Sequence, residues 1–189
     1  MSRTAVTDHP IHALLAERHS PYAFDPRRNV SAEDIHALFE AARWAMSSYN
    51  EQPWRYLVGV RGDGNRHALI HQCLVEGNQP WALNAPVLVL GLVSMQFARN
   101  GKPNAAAEHD LGAASALLTV EATARGLCVH QMIGIDAQKI TQTFALPNGV
   151  KPLTALAIGY AGDPADVPDT YAQRDAASRT RMPQSGFLL

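Results

Sequence analysis

The sequence predicts an α+β domain of three layers, α/β/α, built around one small mixed but mainly antiparallel sheet. Three observations predict it. Strand-like and helical segments interleave, but not as the regular βαβ series of a doubly wound fold. The run APVLVLGLV from Ala85 is almost uninterrupted apolar residues, the pattern of a strand covered on both faces. The longest helical segment, 104–126, carries alanine on several sides, so it has neighbours on more than one of them.

The elements follow in order. DHPIHALLAERHS predicts a short helix, with Pro10 where a first-turn proline is tolerated and Ile11, Leu14 and Leu15 on one face. Ser20 before Pro21 favours extended backbone and breaks it. SAEDIHALFEAARWAM predicts a second helix: Ser31 and Asp34 form a capping-box pattern, and Ile35, Leu38, Phe39 and Ala42 recur at helical spacing. The polar joint SSYNEQPW follows, leading into the strand RYLVGV and a turn at Gly62-Asp63-Gly64. RHALIHQCLVEGN reads as a helix closing at Gly77. The covered strand comes next, then the long helix from an Asn104 cap to Gly126. LCVHQM is a short strand, Asp136 caps the helix AQKITQTFAL, and LTALAIGY is a last strand. Residues 163–189 are mostly polar and rich in proline, and read as an extended arm on a single domain spanning 1–189.

Composition narrows the function. Of 189 residues 47% are hydrophobic and 17% charged, enough for a real core and not a disordered chain. Sixteen Lys and Arg against seventeen Asp and Glu give a net charge of −1, which argues against a nucleic-acid binder. Cys73 and Cys128 have neither disulfide-framework nor zinc spacing and fit a reducing compartment. The start MSRTAVTDHP lacks the apolar core of a secretory signal, and the expected location is the cytoplasm.

Several chemistries find no support. His67 and His71 have zinc-ligand spacing, but Ala68 stands where the glutamate of a His-Glu-x-x-His motif belongs, and two solvated histidines are expected. No Gly-x-Gly-x-x-Gly follows a strand, and Ser115 and Ser185 lack a nucleophile-elbow frame. Cys73 and Cys128 lie within apolar patterns and are expected to pack as small hydrophobes. Two segments leave two readings each. Arg18-His19-Ser20 at a helix end suits either an anion or the helix dipole. Arg179 and Arg181, two apart in extended chain, make either a paired-arginine anion site or a solvated charged arm.

Taken in order, RHSPYAFDP, SSYNEQPWRYLV, GNQPWALNAPVLVLG, GLCVHQMIGID and SRTRMP resemble the motif series of the FMN-dependent nitroreductase family. The resemblance covers nearly the whole chain. It implies a homodimer with an FMN at each of two sites in the subunit interface. Arg18, His19 and Ser20 would hold the phosphate, ribityl chain and pyrimidine edge, with Arg179 and Arg181 at the phosphate. Asn78 would meet the pyrimidine end or ribityl chain. Ser47, Ser48 and Asn50 would reach the FMN of the partner subunit, in a loop where Gln52 also fixes the entry to the strand. Gln131, Met132, Ile133 and Gly134 would line the isoalloxazine, with a backbone N–H of Ile133 or Gly134 facing N5. The arm 163–189 would pack on the partner.

The implied activity is ping-pong transfer of two electrons from NADH or NADPH to nitroaromatic, quinone or related flat acceptors. The alternatives are a specialised reductase with a non-nitro substrate and a flavin-binding module without turnover. The chain departs from the pattern at Pro21-Tyr22, where many members carry a lysine two residues after the serine, and in the short stretch between Val93 and Asn104.

Overall fold

Four strands meet at the centre of the computed structural model, which describes residues 4–188. They are β1 (Trp54–Val60), β2 (Val87–Ser94), β3 (Cys128–Met132) and β4 (Val150–Gly159), in the spatial order β1-β2-β4-β3. Every neighbouring pair is antiparallel, so the expected mixed character of the sheet is absent among these strands. β2 and β3 do run the same way, because the long helix α5 carries the chain back between them. β4 inserts between the two and pairs with both, so no parallel ladder forms.

The helices are α1 (Ala13–Glu17), α2 (Ala32–Arg43), α3 (Arg66–Gln72), α4 (Gln79–Ala82), α5 (Ala107–Ala124), α6 (Ala137–Thr143) and α7 (Asp169–Ala176). Successive residues of β2 point to opposite faces, and both faces are buried. Leu88, Leu90 and Leu92 pack with Ile70, Trp81 and Ile140 beneath α3, α4 and α6. Val87 and Val89 pack with Leu38, Ala114, Leu118 and Leu127 beneath α2 and α5. The three layers are therefore helices, sheet, helices. Each large side chain buried in this way stabilises by about 1.5–3 kcal/mol.

Local signals place most boundaries. Ser31 Oγ accepts from Asp34 N at 3.0 Å and starts α2. Asp136 Oδ1 accepts from Lys139 N at 2.9 Å and starts α6. Gly126, at φ +71°, takes the left-handed position after α5. Asn104 sits upstream of α5, its Oδ1 accepting from Ala106 N at 3.1 Å, and the helix begins at Ala107.

Two segments differ from expectation. α3 stops at Gln72, and α4 follows as a separate turn with Pro80 near its start and Trp81 fully buried. The segment 163–189, expected to be wholly extended, carries α7. Asp163 accepts from Ala165 N at 2.9 Å and turns the chain, and Val167 and Asp175 are buried. Among the described residues, no helix is long and apolar enough to cross a membrane.

Candidate functional site

The chain leaves α1 at Arg18, whose N–H still reaches Leu14 O at 3.1 Å, and runs extended through Ser20-Pro21. The C-terminal segment holds this stretch from both sides. Arg179 donates through Nη1 to Ala16 O at 2.8 Å and through Nη2 to Arg18 O at 2.7 Å, satisfying carbonyls at the helix end. Asp175 of α7 accepts from Tyr22 N at 3.0 Å and from Ala23 N at 2.8 Å.

Arg18, Arg179 and Arg181 line one open groove of about 830 Å³. Arg18 also reaches Ser20 Oγ at 3.2 Å. Burial, and then the Arg181 guanidinium beside it, hold Arg18 below the ordinary arginine value. Asp8 lines the same groove, yet neither Arg18 nor Arg181 forms an ion pair among the described residues. Two guanidinium groups that converge without forming an ion pair among the described residues make a place where an anion is stabilised. His19 turns the other way. Its Nε2 lies 3.8 Å from Cys128 Sγ, and it lines a separate hollow of about 340 Å³ with Pro21, Gly162 and Asp175.

The joint 47–52 has an unusual backbone. Tyr49, Asn50 and Gln52 have φ of +54°, +55° and +51°, the left-handed region that Asn tolerates and Tyr and Gln rarely adopt. Such conformations persist only where surrounding bonds impose them, and they cluster at functional sites. Here Ser47 Oγ accepts from Gln52 N at 3.1 Å, and Gln52 Nε2 donates to Asn50 O at 3.0 Å. Asp110, buried in the first turn of α5, accepts from Ser48 N at 3.0 Å. Glu51 accepts from Ala98 N at 2.6 Å. Asn50 is left exposed, its carboxamide unbonded among the described residues.

A third group forms at the end of β3. Gly134 O accepts from Val75 N at 3.1 Å and from Asn78 Nδ2 at 3.0 Å. A side chain at Gly134 would collide with the Asn78 carboxamide and come 2.8 Å from Val75 Cγ2, so only glycine allows this approach. Ile133 is 85% exposed, whereas Met132 is buried. Gln131 turns its carboxamide onto α5, donating to Ser115 O at 3.1 Å and Thr119 Oγ1 at 2.9 Å.

Among the predicted residues, the fold thus brings Arg18, Ser20, Arg179 and Arg181 together, and Asn78 with Gly134. His19 and the Gln131 side chain point to other neighbours. Sequence reasoning missed Asp110 and Asp175. Asp110 leaves one faint signal, an acid on an apolar helix. Asp175 leaves none, because it lies in a mostly polar segment.

The two histidines of α3 are not both solvated as expected. His67 is buried with Nε2 2.8 Å from Ala85 O, and His71 Nε2 lies 2.8 Å from Gln79 O, because the sheet and the α4 segment cover that face of the helix. Among the described residues no group of three or more His, Cys, Asp or Glu could hold a metal ion.

Comparison with known proteins gives this arrangement a lineage. A profile of the nitroreductase family matches residues 15–160. An uncharacterized 15.4 kDa protein of Mycolicibacterium smegmatis, encoded in the ask 5′ region, is 42% identical over 135 residues, 68% of this chain and 89% of its own. The oxygen-insensitive NADPH nitroreductase of Helicobacter acinonychis (strain Sheeba) is 32% identical over 92 residues, 47% of this chain and 41% of that protein. Among solved structures, an oxidoreductase containing FMN matches with a TM-score of 0.92 at 31% identity, covering 100% of this chain and 96% of the other. With the profile spanning most of its length, the chain belongs to the nitroreductase family.

Proposed function

We propose that this chain is an FMN-dependent NAD(P)H oxidoreductase that reduces nitroaromatic, quinone or related flat acceptors by ping-pong exchange of two electrons. The observation that carries it is the convergence of Arg18 and Arg181 in one groove, neither of them ion-paired among the described residues. The phosphate of FMN is a dianion, and charge-assisted bonds from these groups offset its loss of water. The FMN of the solved relative and the NADPH named for the Helicobacter relative support the reading. An FMN held by these residues would supply the redox chemistry, accepting a hydride from the nicotinamide and giving two electrons to the acceptor.

The residues of this chain bind and orient. Arg18, Ser20 and Arg181 hold the phosphate, and Arg179 braces the backbone beneath them. Asn78 and the stretch Gln131–Gly134 border the ring system, with Ile133 and Gly134 offering backbone N–H groups. Ser47, Ser48 and Asn50 present polar groups to the FMN of a partner subunit in a homodimer. Trp44, Met46, Tyr49, Leu83, Ile133 and Phe187 are large apolar side chains left exposed in one copy, as a subunit interface requires. The segment 163–188 extends that interface, and the compartment is the cytoplasm.

Anaerobic titration of the purified protein with NADH and NADPH tests the reading. Yellow protein bleached by one or both, and recoloured by a quinone or nitroaromatic, is the expected result. Colourless protein that takes up no FMN refutes it. Asn50→Ala is expected to weaken FMN retention with little loss of fold.

A further inference from the structure

Between β2 and α5 the chain makes a tight turn that the proposed cofactor site does not use. Gln96 bridges Pro103, and Phe97 N–H donates to Lys102 O at 2.9 Å. Asn100 Oδ1 accepts from Lys102 N at 3.0 Å, and Gly101 at φ +67° reverses the chain. The tip presents Arg99 and Lys102, both exposed.

This turn is docked on the strained 47–52 loop. The Tyr49 and Phe97 rings meet edge to face at 5.9 Å. The Arg99 guanidinium lies 4.3 Å from the Tyr49 ring centre and 5.2 Å from that of Phe97. Glu51, whose carboxylate reaches the turn, accepts from Ala98 N–H, and neither Arg99 nor Lys102 forms an ion pair among the described residues. Arg55, at the other end of the loop, donates to the carbonyls of Gln52 and Trp54 and adds a third cation.

We propose that this turn is the docking site for the phosphate groups of the dinucleotide electron donor, read by Arg99 with Lys102 beside it. The inference rests on the NAD(P)H oxidoreductase reading above. NADH and NADPH are large polyanions of which only the nicotinamide has to reach the flavin. Their phosphates need cations outside the ring pocket but next to it. The turn meets that need because Tyr49 joins it directly to the loop assigned to the cofactor. A guanidinium held close to two aromatic rings has less freedom left to lose when it grips a phosphate. Neutral acceptors carry no phosphate for Arg99 to grip.

The test uses the FMN-loaded full-length protein and the variants Arg99→Ala, Arg99→Glu and Arg99→Lys, with unchanged melting temperature as the check on fold. Anaerobic stopped-flow follows flavin reduction by NADPH and by NADH. A separate series reduces the flavin with dithionite and follows reoxidation by a neutral quinone. Arg99→Ala is expected to raise the half-saturating NADPH concentration about tenfold, the effect of losing one charge-assisted bond. Arg99→Glu raises it further, Arg99→Lys recovers part, and the wild type loses more affinity with added salt than Arg99→Ala does. The limiting rate of flavin reduction and the quinone series are expected to hold. An equal loss for both nucleotides assigns the pyrophosphate, and a larger loss for NADPH assigns the 2′-phosphate. Unchanged nucleotide dependence in both Arg99→Ala and Arg99→Glu overturns the inference while leaving the oxidoreductase reading intact. A wild type that neither nucleotide reduces overturns both.

Discussion

Replacing Asp175 by alanine removes one buried carboxylate from α7 and leaves two backbone donors, Tyr22 N–H and Ala23 N–H, without their acceptor. Ala23 is 2% exposed, so water reaches its N–H poorly. A buried donor left unpaired costs about 1–3 kcal/mol, and bonds to a charged acceptor lie at the upper end. Two such donors, one only partly covered, give roughly 3 kcal/mol. For a chain of this length that lowers the melting temperature by about 6–12 °C. The same change frees the backbone just beyond Arg18 and Ser20, so FMN affinity falls along with stability. Asp175→Asn keeps one acceptor but sets an amide N–H toward the backbone donors, and it falls between the two. The assay is thermal unfolding of apo and FMN-loaded protein, with FMN dissociation followed by flavin fluorescence. An Asp175→Ala protein that melts with the wild type and holds FMN equally well would refute the clasp.

Four further outcomes are expected. Gly134→Ala drives a methyl group into Asn78 and Val75 and weakens FMN retention more than it lowers the melting temperature, as paired FMN titration and thermal melts will show. Asp110→Ala releases Ser48 N–H at a cost of about 1–3 kcal/mol and lets the strained loop relax, so FMN dissociates faster; Asp110→Asn keeps an acceptor and recovers part of the loss. His130, between the Trp81 and Tyr22 rings, and His67 are both held below the ordinary histidine value, by burial first. The unfolded chain therefore binds more protons, so urea unfolding between about pH 7.5 and pH 5.5 is expected to show stability falling as pH drops, and His130→Gln to flatten that slope. Leu118→Ala empties part of the α5–sheet core and costs about 2–5 kcal/mol by urea unfolding.

The parts of the fold legible in the sequence are those whose signal is local or periodic. The Ser31 cap, the apolar run of β2, the Asp136 cap and the Gly126 stop each express a rule that acts within a few residues. α4 escaped because four residues carry no period, although its Trp81 is fully buried. α7 escaped because it is held through Asp175, a polar side chain whose partners lie some 150 positions earlier. At the candidate site, the convergence of Arg18 and Arg181 followed from the order of motifs, since each segment alone fitted two readings. The left-handed backbone at Tyr49 and Gln52 was not legible, because neither residue type favours it; long-range bonds from Asp110 and Glu51 help hold it. His67 was misjudged because an amphipathic pattern does not say how wide the covered face will be.

The position of β4 has a consequence for how the protein is made. This strand is the last in sequence but an inner one in space, lying between β2 and β3. Until the ribosome has released residues 150–159, β2 and β3 have no neighbour at the edges they will later share. A nascent chain ending near residue 148 therefore exposes two apolar edges of the kind that recruit other strands. The late pairing also joins distant segments, which slows folding and lengthens that exposure. Chains stalled or truncated just before β4 are thus the forms most prone to aggregate and most dependent on chaperones.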